Sequence, residues 1–225
     1  MTGPEGLLCG MKHDTIILDL STLDPATSQH WAAETANRGG TYLDAPVTCS
    51  ITQGGGPAAA ACGELTFLVG GDKAAFESIL DLLETLGRRF HHLGPIGSGS
   101  AMKLISNHLS GIQTLAIAEI LNLAEACGFS TEKTLEICND TVANSYVLES
   151  IVRTRLDNPD PDTHFAIQHM RKDHRLTQTL ASQCGISLPL NDSALSLCDA
   201  MCEAGYGERD TVASVEYFRR HKSRK

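Results

Sequence analysis

Residues 97–111 read GSGSAMKLISNHLSG, and the rest of the chain is arranged around them: a glycine- and serine-rich start, a lysine in an early turn, then a long apolar helix. An i, i+4 step places Lys103 and Asn107 on one face of that helix, with the small Ser100 above and Gly111 below leaving room for a ligand. Around this polar face Leu104, Ile105, Leu109, Ile112, Leu115, Ala116, Ile120, Leu123 and Ala124 recur at threes and fours, the pattern of a helix packed on more than one side. On these residues alone, Lys103 is open to two readings. It is either the group that does chemistry or a lysine snorkelling from a helix end.

The 225 residues suffice for one large domain or two small ones, and 42% hydrophobic with 20% charged residues is ordinary for a globular protein. Eighteen basic against twenty-seven acidic side chains give a net charge of -9. That balance argues against nucleic acid or an anionic membrane surface as the main partner and favours small molecules. The eight cysteines are scattered, with no CxxC pair and no cysteine-to-histidine spacing suited to zinc, so no metal site is expected. Cys198 and Cys202 share a helix face, which packing explains. Reduced thiols point to an intracellular protein, cytoplasmic or mitochondrial, and no apolar run approaches the roughly 18 residues of a membrane span.

Upstream of residue 97 strands and helices alternate. TIILDL at 15–20 is a short branched run, followed by Ser21, Thr22, Asp24 and Pro25, which suit a helix start, so strand 15–20 leads into helix 25–37. Gly39 and Gly40 end that helix, and 41–47 reads as a second strand, parallel to the first. From Thr48 to Gly63 the chain becomes TCSITQGGGPAAAACG. Gly54, Gly55, Gly56 and Pro57 suit close backbone approach to a ligand, which reads as a functional loop. A strand at 65–70, an amphipathic helix over 72–86 and a strand at 88–93 close this half. His91 and His92 alternate faces in the last strand and are poorly placed to share a metal.

After Gly94 and Pro95 everything reads as helix, which marks a domain boundary between 1–96 and 97–225. Gly128 ends the long helix, Ser130 caps a short one to about 138, and further helices are expected near 144–155, 165–184, 190–203 and 210–220. The charged run Arg171, Lys172, Asp173, His174 and Arg175 lies within helix 165–184 and on its own reads as a solvated face.

These segments, in this order, resemble the β-hydroxyacid dehydrogenase family that includes 3-hydroxyisobutyrate dehydrogenase and tartronate semialdehyde reductase. The resemblance is carried by DLST at 19–22 with Pro25 behind it, LDAPV at 43–47, CGELTFLVGG at 62–71, HHLGPIGSGSAMKLISN at 91–107 and RKDHRL at 171–176. It implies an α/β plus all-α protein: a partial Rossmann-type sheet domain, then a helical domain like the C-terminal domain of 6-phosphogluconate dehydrogenase. It also implies hydride transfer between NAD or NADP and a small hydroxy acid or its semialdehyde. Lys103 becomes the catalytic acid/base and Asn107 a substrate-holding residue. Ser21, Thr22, Lys172 and Asp173 line the nicotinamide cofactor, and a homo-oligomer forms through the helical domain.

The sequence departs from the family pattern twice. It lacks the strand, GxGxxG turn and helix that place backbone N–H groups on a pyrophosphate, so weakened cofactor binding and doubtful activity are expected, with a non-catalytic remnant or a dimerisation partner of a full-length relative as the alternative. The GSGS at 97–100 has no strand–helix–strand unit around it and is no substitute. Second, TCSITQ intervenes where the family runs from DAPV into Ser-Gly-Gly. Either Thr48 or Gly54 takes the place of that serine, ahead of Gly55 and Gly56, with the carboxylate of the substrate meeting backbone N–H groups there.

Overall fold

The computed structural model describes residues 1–49, 55–152, 156 and 163–221, with 55–57 and 150–151 described in the backbone only. The described residues form two compact units, Met1–Ser106 and Asn107–Lys225.

The first unit is built on a mixed five-stranded sheet. Strand β1 (Ile16–Asp19) pairs in parallel with β2 (Thr41–Asp44), joined by helix α2 (Pro25–Ala36), while a short α1 (Leu7–Gly10) precedes β1. The start of α2 follows from sequence: Asp24 accepts the Thr27 N–H at 3.0 Å, and Pro25 occupies the first turn, where its missing donor costs nothing. Gly39, at φ 76°, ends it.

The expected strand 41–47 is two strands. The Ala45 N–H still donates to Asp19 O, but Pro46 has no N–H to continue the ladder, and the chain changes partner. β3 (Val47–Cys49) then runs antiparallel to β4 (Leu65–Gly70). β2 meets β4 only where Asp44 faces Gly70. β5 (Gly87–Gly94) pairs in parallel with β4 on its other side. Leu43, Ala45, Phe67, Val69, Phe76 and Leu83 form the core of this unit.

Two further expectations change here. The helix read over 72–86 is α4 (Lys73–Ser78) and α5 (Leu80–Leu83), interrupted at Ile79, whose φ -112° and ψ 8° leave the helical region. The loop read from Thr48 to Gly63 is only partly a loop. Thr48 sits in β3 opposite Thr66, and Gly55 and Gly56 open helix α3 (Gly55–Ala61), while Gly54 lies outside the described residues.

Helix α6 (Ser98–Ala126) starts in the first unit and continues into the second. In the second unit it is packed on two sides. Leu115 joins Ile167, Met170, Cys198 and Met201, while Ile117, Ala118 and Leu121 join Leu135, Val147, Leu148 and Val215. The other α-helices that the described residues form are α7 (Thr131–Asn139), capped by Ser130 as expected, α8 (Ile167–Gln183), α9 (Pro189–Glu203) and α10 (Ala213–Arg220). Of the helix expected over 144–155, Val147–Val152 is helical in the wider π form, and 153–155 lie outside the described residues. Ile105, Leu109, Ile120 and Leu123, read from sequence as buried, are exposed in the single chain.

Among the described residues β1 is hydrogen-bonded on one side only. Edge strands open more readily than packed helices. Amide hydrogen exchange is therefore expected to be fast across Ile16–Asp19 and slow across 115–121, and equal strong protection of both would contradict the edge assignment.

Candidate active site

The early turns of α6 are held by a residue that the sequence reading passed over. Asp44, at the carboxyl end of β2 and 1% exposed, accepts the Gly97 N–H through Oδ1 at 2.8 Å and the Ser100 N–H through Oδ2 at 2.7 Å. Two oxygens accepting two backbone donors suit an ionised carboxylate. The negative charge faces the positive end of the helix dipole, an arrangement that contributes about 0.3 to 2 kcal/mol. Burial pushes the Asp44 carboxyl above its ordinary range, and the two N–H groups oppose that shift. The fit depends on missing side chains. A Cβ on Gly70 would lie 2.5 Å from Asp44 Oδ1, and one on Gly99 would lie 2.1 Å from Leu68 O.

Ser100 is fully committed. It is 1% exposed, and its hydroxyl meets the equally buried Ser28 hydroxyl at 2.8 Å. Lys103 follows on α6 and is 9% exposed, far more enclosed than a snorkelling lysine.

At the carboxyl end of β1, Asp19 organises the turn to Ser21 and Thr22. It accepts the Ser21 N–H at 2.8 Å and the Tyr42 hydroxyl at 2.6 Å. Burial raises the Asp19 carboxyl, but these hydrogen bonds outweigh it and hold the group below its usual range. Tyr42 is pushed well up by burial and by the Asp19 carboxylate. Ser21 is exposed, and both its N–H and its hydroxyl turn toward the Asp19 carboxylate. The ends of parallel strands are where open α/β sheets take their ligands.

In the second unit, α6 and α8 are clamped by two adjacent rungs. Asn107 Nδ2 donates to Asp173 Oδ2 at 2.7 Å, and Lys172 Nζ lies 3.3 Å from Asp173 Oδ1. One residue further along each helix, the His108 and His174 rings meet edge to face at 5.6 Å. Asn191 of α9 fixes the tautomer of His174. Its Nδ2 donates to His174 O at 3.1 Å, so its Oδ1 faces His174 Nδ1 as an acceptor at 2.8 Å, and Nδ1 carries the proton. His174 Nε2 is left as a buried lone pair with no hydrogen-bond partner.

The charged run of α8 is thus divided. Arg171 and Arg175 face Asp199, at 3.7 and 2.6 Å, while Asp173 and His174 are buried at 4% and 1% exposure. The solvated-face reading holds for Arg171, Lys172 and Arg175 and fails for Asp173 and His174.

The room expected above and below the lysine is not there. Ser100 is spent on Ser28 and Asp44, and the ring of His174 occupies the place beside Gly111, where a Cβ would come within 2.6 Å of Nε2. Glycine at 111 serves packing. The sequence signal for this was the pairing of a mid-helix glycine with a histidine in a partner helix, a coincidence that gains meaning only in three dimensions. Among the described residues no cluster of three or more His, Cys, Asp or Glu side chains could hold a metal, and all eight cysteines are unpaired.

Known proteins place these features. Residues 97–218 match the family model described as NAD-binding of NADP-dependent 3-hydroxyisobutyrate dehydrogenase, and residues 1–94 match that of the NAD binding domain of 6-phosphogluconate dehydrogenase. The chain is 34% identical over 220 residues to the NAD-dependent L-serine dehydrogenase of Pseudomonas aeruginosa, covering 95% of this chain and 72% of the relative. It is 31% identical over 218 residues to the 2-(hydroxymethyl)glutarate dehydrogenase of Eubacterium barkeri, covering 97% and 70%. The crystal structure of 3-hydroxyisobutyrate dehydrogenase from Salmonella typhimurium superposes with a TM-score of 0.84 at 28% identity, covering 95% of this chain and 73% of that one. The chain belongs to the β-hydroxyacid dehydrogenase family of NAD(P)-dependent oxidoreductases. Its architecture is the Rossmann-type sheet domain followed by the helical domain of that family.

Two measurements probe the second rung. Gly111→Ala is expected to destabilise by about 1 to 3 kcal/mol, because the added methyl must displace a buried ring. Burial also depresses the pKa of His174 below its ordinary value of about 6.5. A depressed histidine binds its proton more readily in the unfolded chain, so its contribution is fully present above that value and stability falls as pH drops below it. Denaturant melts between pH 7.5 and 5.5 should show this loss, reduced in His174→Gln.

Proposed function

We propose that this chain transfers a hydride between NAD(P) and a small β-hydroxy acid or its semialdehyde, with Lys103 as the acid/base. The observation that supports this most strongly is the enclosure of Lys103 in an early turn of α6, whose N-terminus is anchored by Asp44, with Asn107 one turn further along. Reduction of a carbonyl leaves an alkoxide-like oxygen. A positioned ammonium stabilises that oxygen and then gives it a proton, and in the reverse direction the amine takes the proton from the hydroxyl.

We assign the nicotinamide end of the cofactor to Ser21, Thr22, Lys172 and Asp173. Ser21 and Thr22 follow the carboxyl end of β1, with the Ser21 turn fixed by Asp19, and Lys172 and Asp173 stand together on α8. The bound nicotinamide supplies the hydride. Lys172 offers a cation on a 48% exposed side chain, and Asp173 holds Asn107 in place toward the substrate. The pyrophosphate has no comparable place at residues 97–100, because Asp44 already takes the N–H groups of Gly97 and Ser100.

L-serine, 3-hydroxyisobutyrate and 2-(hydroxymethyl)glutarate, named by the relatives, share a carboxylate and a primary alcohol on the β carbon. We assign the carboxylate to the stretch from Thr48 to Gly56. Thr48, whose backbone lies in the β3–β4 ladder, is assigned a hydroxyl contact, and Gly55 and Gly56 are assigned N–H contacts, with Gly54 outside the described residues. We place the functional boundary at 96/97. A homo-oligomer is supported by the exposed apolar positions Met102, Ile105, Leu109 and Leu123, spaced along one helix at intervals that a second copy of α6 would cover. No described helix is long and apolar enough to cross a membrane.

A spectrophotometric screen of these hydroxy acids with NAD and NADP tests the reading. Lys103→Ala is expected to lower turnover by about 100 to 10,000-fold while leaving cofactor affinity nearly unchanged. Lys172→Ala is expected to weaken cofactor binding first, read by nicotinamide fluorescence. Full turnover in Lys103→Ala would make Lys103 a structural lysine.

A further inference from the structure

Asp44 does more than tie one strand to one helix, because of where its two bonds fall. Gly97 and Ser100 bracket the first turn of α6, and both of their N–H groups end on one buried carboxylate from a strand 53 residues earlier in the chain. A helix start held by its own side chain is fixed relative to itself. One held by a strand is fixed relative to the sheet. The glycines at 70 and 99 let the backbones of β4 and α6 close around the carboxylate, since a Cβ at 70 would lie 2.5 Å from Oδ1 and one at 99 would lie 3.0 Å from Oδ2.

Lys103 comes five residues after the first residue of α6, so its Cα lies on the order of 7 Å along the axis from that anchored turn. Over so short a rigid span, a rotation or slide of the first turn carries over to the lysine almost undiminished.

We infer that Asp44 is a positioning residue for the reaction: by holding the Gly97 and Ser100 N–H groups it sets the place of the Lys103 ammonium without touching the substrate. This rests on the reading of Lys103 as the acid/base. The carboxylate is chosen over a neutral cap because both of its oxygens accept. In Asp44→Asn one oxygen becomes an amino group, which would face an N–H donor with another donor. The neighbouring Ser28–Ser100 hydroxyl pair supplies a control, since Ser28→Ala removes a buried hydrogen bond at the same turn and leaves the Asp44 bonds intact.

The experiment uses the full chain and two readouts at a temperature where circular dichroism shows every variant folded. The first is the 13Cε resonance of Lys103, identified by its absence from Lys103→Arg. It requires no activity. In Asp44→Asn it is expected to move toward the resonances of the exposed lysines, while in Ser28→Ala it stays in place. The second is steady-state kinetics, in which Asp44→Asn is expected to lose about 100-fold in kcat with KM nearly unchanged, the penalty typical of a reacting group displaced by about 1 Å. An unmoved Lys103 resonance in Asp44→Asn, or an equal movement in Ser28→Ala, would reduce Asp44 to a structural cap and overturn the inference. Full turnover in Lys103→Ala is a different result, which would sink the acid/base reading itself.

Discussion

A buried carboxylate accepting two backbone N–H groups is the constraint on which the first unit depends. Asp44 lies where β2 stops pairing with β1, where β2 and β4 touch at a single residue pair, and where α6 begins. Burying a charge is costly unless it is compensated, and here a helix terminus with unsatisfied donors is the compensation. Each partly solves the other's problem. The glycines at 70 and 99 make the solution sterically possible, and Pro46, immediately beyond, releases the chain to a new strand partner.

The second unit applies the same logic without a helix terminus. Asp173 Oδ2 accepts from Asn107 and Oδ1 is approached by Lys172, while His174 is locked by Asn191 and packed against Gly111. Polar groups buried in this way specify one docking of α6 against α8, because a slide along either helix would break both rungs together. Both Lys103 and Asn107, proposed to act on the substrate, are thus carried on a helix restrained by buried carboxylates.

Much of this was legible in the sequence, and what was not has physical reasons. Periodicity and punctuation suffice for β1, α2, β4, β5, α6, α7, α8, α9 and α10. The division of strand 41–47 could have been read from Pro46, whose missing donor ends a ladder. The break at Ile79 carries no such mark, since isoleucine is acceptable in a helix. Apolar spacing on α6 correctly indicated two packed faces, but the same spacing continues through Ile105, Leu109 and Leu123, and periodicity cannot tell a buried face from an exposed apolar one. The role of Asp44 was invisible for a different reason: a cap supplied from a distant strand leaves no local pattern. Family resemblance pointed to Lys103, Asn107, Lys172 and Asp173, and the geometry adds what holds three of them.

The central claim is that a nicotinamide hydride reaches a small β-oxo acid on this protein. It is tested most directly by incubating the chain with cofactor deuterated at the transferable C4 position and a small carboxylate-bearing semialdehyde, then weighing the alcohol by mass spectrometry. One deuterium on the hydroxyl-bearing carbon, formed in proportion to protein and absent with Lys103→Ala, is the predicted result. Alcohol formed without deuterium, or none above the protein-free background with either NADD or NADPD, would contradict it.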